Sequence, residues 1–189
     1  MTLNNIWVFA QVANGAPTSA TLELLTKARS LSSNVTAIIG GDGASAAALG
    51  EFGATKVYAI NHGASLPGVA IAAALKSVID GGDTPDLIMF PQNYEGRDVM
   101  SRLSVKLDKT VITNNIDITD GGDGVTVVTP IFGGNTLVST TFTGAGPFLA
   151  AFRPKSFVAE SAGGAAAAVT AVSVPDLGAA GAAQVSSSC

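Results

Sequence analysis

The sequence predicts an α/β fold: a doubly wound, mainly parallel sheet with an antiparallel hairpin extension. In the first half, short apolar runs alternate with alanine-rich helical stretches, whereas glycine-rich turns separate β-type runs after about residue 111. Nearly continuous apolar runs are typical of strands buried on both faces. The first half therefore predicts a three-layer arrangement, with helices on both sides of a parallel sheet.

The central strands and the helices follow each other in regular alternation. We predict strands at residues 6–10, 35–39, 57–60 and 87–90, and helices at 17–31, 44–52 and 66–79. Thr18 and Ser19 are candidate N-caps of the first helix, because a small polar side chain can accept a hydrogen bond from its first turn. Gly81 and Gly82 are the predicted stop of the third helix.

A fourth helix follows residue 90 and has the clearest amphipathic pattern. Val99, Leu103 and Leu107 recur at positions i, i+4 and i+8, which places them on one face. Arg97 and Lys106 lie on other faces. The pattern predicts a helix that packs on the core and has a basic outer side.

The second half predicts antiparallel hairpins and then a linker. Runs at 125–128 and 137–142 are separated by glycine-rich turns that suit tight hairpins, and a last strand is predicted at 148–152. From residue 161 the chain is rich in alanine, glycine and serine around a short segment at 172–175. We therefore predict one α/β domain at residues 1–160 and a linker with a short edge strand at 161–189.

Composition excludes several classes of function. Hydrophobic residues are 47% of the chain and charged residues 13%, with a mean hydropathy of +0.42, yet no stretch approaches the roughly 20 apolar residues of a membrane span. We expect a cytoplasmic protein, because the N-terminus lacks the features of a secretory signal. A net charge of −4 without a Lys/Arg run argues against nucleic acid.

Catalytic and metal chemistry have little support in the sequence. Cys189 is the only cysteine and His62 the only histidine, so a transition-metal site is disfavoured. No Gly-x-Ser-x-Gly nucleophile motif occurs. We predict that the chain is not an enzyme and that it has no catalytic residues.

The candidate binding residues lie where parallel strands end, because open α/β sheets bind ligands beyond the carboxyl ends of their strands. Gly41, Asp42 and Gly43 follow a strand and precede a helix, so their backbone amides are candidates for holding a phosphate. We favour the simpler interpretation, in which these glycines are needed for a tight strand-to-helix turn. Arg97 is the candidate for a contact with a partner or another domain.

Several motifs together resemble the electron transfer flavoprotein alpha subunit. The segment Pro-Gln-Asn-Tyr-Glu-Gly-Arg-Asp at 91–98, with Arg-Leu at 102–103, is similar to the Gly-Arg-Asp helix of that family. The Gly-Gly hairpin at 131–135 and Arg-Pro-x-x-Phe at 153–157 follow in the family's order. Asn114 and Asn115 stand where the family has an Asp-containing turn, with Asp117 as the nearest acidic substitute.

The resemblance implies an adenine-nucleotide-hydrolase-like, Rossmann-type fold and an electron-transfer role. It implies that the chain is the N-terminal part, a scaffold that docks a beta subunit and supports an FAD domain passing electrons from dehydrogenases to the respiratory chain. A Ser-Gly-Gly-Arg-Gly type motif, which opens that FAD domain in the family, does not occur here. FAD is therefore expected in the full complex, and absent or weak on this chain alone, with AMP on the partner subunit. The alternative is a free-standing module that binds an adenine nucleotide.

Overall fold

A computed structural model of the protein describes residues 3–122 and 124–184. The strands are β1 Ile6–Phe9, β2 Val12–Ala13, β3 Ala16–Pro17, β4 Val35–Gly40, β5 Lys56–Ile60, β6 Leu87–Pro91, β7 Val111–Asn115, β8 Asp117–Asp120, β9 Val125–Ile131, β10 Thr136–Thr141, β11 Phe148–Phe152 and β12 Ala168–Val172. The helices are α1 Ser19–Leu31, α2 Ala46–Glu51, α3 Pro67–Asp80 and α4 Tyr94–Leu107, with 3₁₀ turns at Phe132–Gly134 and Gly178–Ala182.

The main sheet has seven strands in the order β12-β5-β4-β1-β6-β11-β7, and all of its strand pairs are parallel. From β1 the chain moves outward through β4 to β5, and then returns to β6 on the other side of β1. The sheet therefore has a topological switch point between β1 and β6. This confirms the predicted α/β class with a doubly wound sheet.

The four predicted central strands are confirmed, but the sheet is wider than the sequence predicted. β11 joins it beside β6, and β7 pairs with β11 at the sheet's edge. The turn that the resemblance implied at Asn114 and Asn115 is not found, because both residues continue β7. Asn114 takes a positive φ of 67°, and the register with β11 shifts between Ala150 and Phe152. An irregular strand that contains two asparagines carries little β-type signal.

The two faces of the main sheet are covered differently. One face packs against α3 and α4 and buries Trp7, Phe9, Phe90 and Leu103. The other face packs against α1, α2 and the small sheet described below. Side chains alternate between the two faces along each strand, so each strand contributes to both cores.

A small antiparallel sheet lies on the α1–α2 side. It has the order β10-β9-β8, and its inner side chains Ile118, Val125 and Val127 are fully buried in the core shared with α1 and α2. The carboxylate of Asp117 in β8 forms an ion pair with Lys27 of α1 at 2.9 Å. The predicted hairpin extension is thus present as a three-stranded sheet.

An extended segment, here called the strap (residues 153–167), links β11 to β12 across the α1–α2 layer. It is held mainly through its backbone. The amide of Lys155 donates to Glu23, the amide of Ala162 to the carbonyl of Glu51, and the amide of Ala167 to the carbonyl of Ala46, at 2.8, 2.8 and 3.2 Å. The strap therefore lies on the surface of this layer and is held there by hydrogen bonds.

The strap ends in β12, which pairs with β5 as the outer strand of the main sheet. The strand lies at 168–172, just before the segment at 172–175 around which the sequence centred it. Val174 instead packs against the α3–α4 core, and Pro175 has no amide hydrogen for a ladder. Within the described part of the chain, none of the helices is long and apolar enough to cross a membrane.

Candidate functional site

The switch point between β1 and β6 is bridged by side chains. Gln11 follows β1, and Asn93 and Glu95 lie at the start of α4. The side-chain amide of Asn93 donates to Gln11 Oε1 at 2.6 Å, and Gln11 Nε2 donates to Glu95 Oε2 at 3.1 Å. This Gln11 bridge spans the position where doubly wound folds hold nucleotides, and it presents a carboxylate there that would repel phosphate.

The start of α4 is shaped by capping and close packing. Asn93 Oδ1 accepts a hydrogen bond from the amide of Gly96 at 2.8 Å, so an amide that could bind an anion already has a partner. A Cβ atom at Gly96 would lie 2.2 Å from the carbonyl oxygen of Pro91. Glycine is therefore required here by the closeness of the strand end to the helix.

Gly41, Asp42 and Gly43 form the turn between β4 and α2. Gly41 and Gly43 take φ values of 133° and 89°, and the amide of Gly41 donates to the carbonyl of Ile60 at 2.9 Å. Asp42 is exposed, and its carboxylate accepts from the amide of Ala44 at 3.0 Å. These contacts satisfy the turn internally, and α2, with six residues, is too short to add much of a helix dipole.

A cavity of about 590 Å³ lies between this turn and the end of β12. Its lining includes Gly41, Asp42 and Asn61, with no Lys or Arg. A site for a phosphate or a dinucleotide needs cationic or amide donors aimed at the anion, and this cavity offers a carboxylate instead. The lining of this cavity therefore does not fit the phosphate groups of FAD.

Arg97 is exposed on the first turns of α4 and is not paired with its neighbour Asp98. Its guanidinium lies 5.6 Å from the ring centroid of Tyr94, a side chain that is 91% exposed. Among the described residues no carboxylate forms an ion pair with Arg97, whereas Asp98 pairs with Arg102 at 2.7 Å. An exposed Tyr–Arg pair of this kind is typical of interface anchors.

Asn114 and Asn115 form a polar corner between the main and small sheets. Asn114 Oδ1 accepts from Nε of Arg153 at 2.6 Å. Asn115 is fully buried, donates to the carbonyl of Ala151 at 2.9 Å and accepts from Thr129 Oγ1 at 2.8 Å. Asp117 pairs with Lys27 rather than with Arg153, so no carboxylate replaces Asn114 in this corner.

The sequence did not predict a polar cluster at the amino ends of the strands. Lys56 Nζ lies 2.6 Å from the hydroxyl of Tyr58 and 3.1 Å from Asp83, and the Tyr58 hydroxyl donates to the same carboxylate. Lys56 and Tyr58 are two residues apart on β5, so they share a face. That spacing is the only sequence signal, because Asp83 comes from the loop after α3.

The three groups of this cluster shift one another's pKa values. Burial alone would raise the pKa of Asp83, but hydrogen bonds from Tyr58 and Lys56 outweigh it and lower that pKa. Burial and the bond to Asp83 raise the pKa of Tyr58. Burial would lower the pKa of Lys56, but its bonds to Tyr58 and Asp83 raise it overall. Each shift favours the protonation state that the group already has at neutral pH. This pattern indicates that the cluster has a structural role.

The lone histidine lies in a turn and contacts the backbone. The ring of His62 contacts the carbonyl of Ser65 through Nδ1 at 3.1 Å, in the turn before α3. Among the described residues, no three His, Cys, Asp or Glu side chains are arranged to hold a metal ion. Cys189 lies outside the described residues.

Comparisons with known proteins agree with this architecture. The family model described as "Electron transfer flavoprotein domain" matches residues 6–177. The electron transfer flavoprotein subunit alpha of Syntrophomonas wolfei is 29% identical over 168 residues, which are 86% of this chain and 52% of that protein. The protein of the same name from Mycobacterium tuberculosis is 27% identical over 178 residues, which are 90% of this chain and 53% of that protein.

The chain spans about half the length of the curated relatives that it matches. The family match begins at the first residue of β1 and ends beyond β12, so it covers both sheets and the strap. The chain therefore belongs to the electron transfer flavoprotein family, and it corresponds to the N-terminal part of the alpha subunit.

Proposed function

We propose that this chain is the docking part of an electron transfer flavoprotein. It binds the beta subunit and supports an FAD domain, so that the complex passes electrons from dehydrogenases to the respiratory chain in the cytoplasm. The observation that carries the proposal is the family match over residues 6–177, which takes in the whole described α/β unit. In this proposal residues 1–160 are the docking domain, and 161–189 lead toward the FAD domain.

The geometry supports a scaffold rather than a cofactor site. The Gln11 bridge spans the switch point, and the cavity beside Gly41–Gly43 presents Asp42 without a cationic partner. The FAD is accordingly held elsewhere in the complex, and AMP is assigned to the partner subunit. The chain itself is a carrier subunit with no catalytic residues of its own.

Arg97 is proposed as one contact of this scaffold with a partner or another domain. Its guanidinium is exposed beside Tyr94 and has no ion-pair partner among the described residues. A planar guanidinium on an aromatic face is ready to accept a carboxylate in a bidentate contact. Arg97→Ala is expected to weaken binding of the beta subunit or of the FAD domain without changing the stability of the chain.

Purification of the chain with and without a co-expressed beta subunit tests the proposal. We expect stable co-purification of the two proteins and a colourless chain when it is purified alone. Stoichiometric yellow flavin on the isolated chain would contradict the scaffold assignment, and failure of the beta subunit to bind would contradict the docking role.

A second candidate, a free-standing adenine-nucleotide module, is favoured only by the 590 Å³ cavity at the carboxyl ends of β4, β5 and β12. Calorimetric titration with AMP and ATP separates the two. Micromolar binding, lost in Gly43→Val, would favour the nucleotide module. A flat titration would leave the scaffold as the function of this chain.

A further inference from the structure

The short hairpin formed by β2 and β3, here called the β2–β3 hairpin (residues 12–17), follows β1 and has a two-residue turn. Ala13 pairs with Ala16, so Asn14 and Gly15 alone form the turn. Their φ values are 52° and 77°. Positive φ at both positions is the property of a type I′ turn, which favours Asn-Gly because both residues tolerate that backbone. The same dipeptide also has a chemistry of its own.

That chemistry is an attack of the backbone on the asparagine side chain. The backbone nitrogen of the following residue attacks the side-chain amide carbon Cγ, the Cγ–Nδ2 bond breaks, and ammonia leaves together with the proton of the attacking amide. The product is a cyclic succinimide. Water then adds to one of its two carbonyl carbons and breaks the bond from that carbon to the ring nitrogen, which gives aspartate or isoaspartate. Glycine favours the attack because it has no Cβ to crowd the nitrogen.

The sequence contains this dipeptide at one position. Of all the asparagines in the chain, Asn14 is the only one followed by glycine, and every other asparagine precedes a residue with a side chain. Several precede a β-branched residue, which crowds the backbone nitrogen most: Asn5, Asn34, Asn115 and Asn135. The steric term of the reaction therefore favours Asn14 over every other asparagine.

The structure leaves both reacting groups accessible. Asn14 and Gly15 are exposed, and a Cβ atom added at Gly15 would meet nothing within 4 Å. In the parts of the chain that the structure describes, no hydrogen bond holds the Asn14 side chain or the Gly15 amide nitrogen. Buried Asn115 is the opposite case, because its Nδ2 donates to the carbonyls of Ile112 and Ala151 at 2.8 and 2.9 Å. Such bonds prevent a side chain from rotating onto the backbone, and Asn14 has none of them.

The hairpin can also open without unfolding of the domain. Its sheet consists of two strands with two residue pairs, and the amide of Thr18 closes its base by donating to the carbonyl of Gln11 at 3.0 Å. A two-stranded ribbon of this size is only marginally stable by itself. Local opening costs less than global unfolding, so the Asn14 side chain can reach the geometry of attack in the folded chain.

We propose that Asn14 is a site of spontaneous deamidation, in which the backbone nitrogen of Gly15 closes the succinimide and water opens it to aspartate and isoaspartate. This chemistry does not depend on the docking function. Both products add a negative charge to a chain whose net charge is −4. Isoaspartate also inserts one carbon into the main chain between Ala13 and Ala16, and the register of a hairpin depends on the length of its turn. The modified hairpin should therefore lose its strand pairing.

The contacts of Gln11 limit how far this change spreads. Gln11 precedes the hairpin, and its backbone is held by Thr21, whose Oγ1 accepts from the Gln11 amide at 2.9 Å and donates to the Gln11 carbonyl at 3.0 Å. Thr21 belongs to α1 and lies outside the hairpin. The amide of Thr18 reaches the same carbonyl from the hairpin's other end. Opening of the hairpin should therefore release Thr18, while Thr21 keeps Gln11 and its bridge in place.

Peptide mapping by mass spectrometry, on the whole chain stored at neutral and at mildly alkaline pH, tests the site. Asn14 should be converted before any other asparagine, and faster at the higher pH because the deprotonated amide is the nucleophile. Isoaspartate in the product is measured by methyl transfer from S-adenosylmethionine with an isoaspartyl methyltransferase. Conversion of another asparagine first would overturn the proposal. So would conversion of Asn14 in a urea-unfolded sample but not in the folded chain, because the folded turn would then protect it.

Matched variants test what the modification does to the hairpin. Asn14→Gly keeps a residue that tolerates positive φ and removes the reacting side chain, whereas Asn14→Asp supplies the charge without the inserted carbon. In the stored wild-type chain, the Thr18 amide should lose its protection from hydrogen exchange. It should keep this protection in equally stored Asn14→Gly and in fresh Asn14→Asp. Equal protection in converted wild type and Asn14→Gly would show that the hairpin stays closed, and loss of protection in fresh Asn14→Asp would assign the opening to charge; either result overturns the effect of the inserted carbon.

Discussion

The two layers that cover the main sheet are built by different means. The α3–α4 layer consists of two long helices that pack against each other, and its core residues recur at helical spacing along α4. The α1–α2 layer includes a six-residue helix, an extended strap and a small sheet. Both layers bury apolar side chains, but the second also depends on backbone contacts between distant residues. The two layers should therefore respond differently to mutation.

The largest effect is expected from removing core volume in the α3–α4 layer. Leu103 of α4 is fully buried between the helix and the sheet. Leu103→Ala should lower the free energy of unfolding by about 3 kcal/mol, measured by urea denaturation, because the cavity cannot fully collapse. Val105→Ala on the same helix is the control, since Val105 is 82% exposed and its truncation should cost less than about 0.5 kcal/mol. Equal effects of the two would contradict the assigned face.

The second effect concerns the strap. A Cβ atom at Gly50 would lie 2.1 Å from the carbonyl oxygen of Ala165, so the backbone of the strap must move in Gly50→Ala. We expect the free energy of unfolding to fall by about 1–3 kcal/mol. Amide exchange should become faster at Ala162 and Ala167, whose hydrogen bonds hold the strap to α2. Amide exchange in α3 and α4 should become faster only to the extent that the whole chain is less stable.

Gly68→Ala is the matched change in the other layer. Its Cβ would meet the carboxylate of Asp98, which is the end of a side chain that can rotate. We expect this variant to be less destabilised than Gly50→Ala and to leave the strap protected. If Gly68→Ala releases the strap, or Gly50→Ala leaves it protected, the layers are not separate in the way described.

The third effect is a pH dependence of the free energy of unfolding, caused by the Lys56–Tyr58–Asp83 cluster that joins β5 to the loop after α3. The pKa of Asp83 in the folded chain is lowered from its ordinary value of 3.8. The ionised carboxylate therefore stabilises the fold above pH 3.8, and this stabilisation is lost as the pH falls through the lower, folded pKa. The pKa values of Tyr58 and Lys56 are raised from 10.0 and 10.5. The protonated groups therefore stabilise the fold below those values, and this stabilisation is lost as the pH rises through the folded pKa values.

Tyr58→Phe removes the hydroxyl from this cluster. The stability difference from the wild type should be about 1 kcal/mol near neutral pH, after allowance for solvent screening, and should shrink below about pH 4. Urea denaturation across pH measures it, with Tyr94→Phe as the control because Tyr94 is exposed. A difference independent of pH would mean that the hydroxyl contributes through packing alone.

The sequence predicted the central strands and the helices better than it predicted the strap, for physical reasons. Apolar runs and the spacing of Val99 and Leu103 carry a local signal, so the central strands were placed to within one residue and a helix was predicted after residue 90. The strap has no periodicity, and its contacts join residues more than 100 positions apart, such as Glu23 with Lys155. β7 was missed because Asn114 interrupts its pattern with a positive φ.

In the candidate site, too, features with a local sequence signal could be predicted, and contacts between distant residues could not. The position of Arg97 on an outer face of α4 could be predicted from spacing. The Gln11 bridge could not, because Gln11 and Asn93 are 82 residues apart and meet only through the order of the strands. The same holds for the Lys56–Tyr58–Asp83 cluster, where one of the three groups comes from a different element.

The smallest effect compares the N-caps of one helix from each layer. In α1, the amide of Thr21 donates to Thr18 Oγ1 at 3.4 Å, whereas in α4 the amide of Gly96 donates to Asn93 Oδ1 at 2.8 Å. The shorter bond should be the stronger, so Asn93→Ala should cost about 1 kcal/mol and Thr18→Ala about half of that. Thermal denaturation of the two variants at one pH measures the difference. Because Asn93 also donates to Gln11, the double variant Gln11→Ala/Asn93→Ala should be less destabilised than the sum of the single changes. Additive changes would mean that the hydrogen bond between Gln11 and Asn93 contributes nothing to stability.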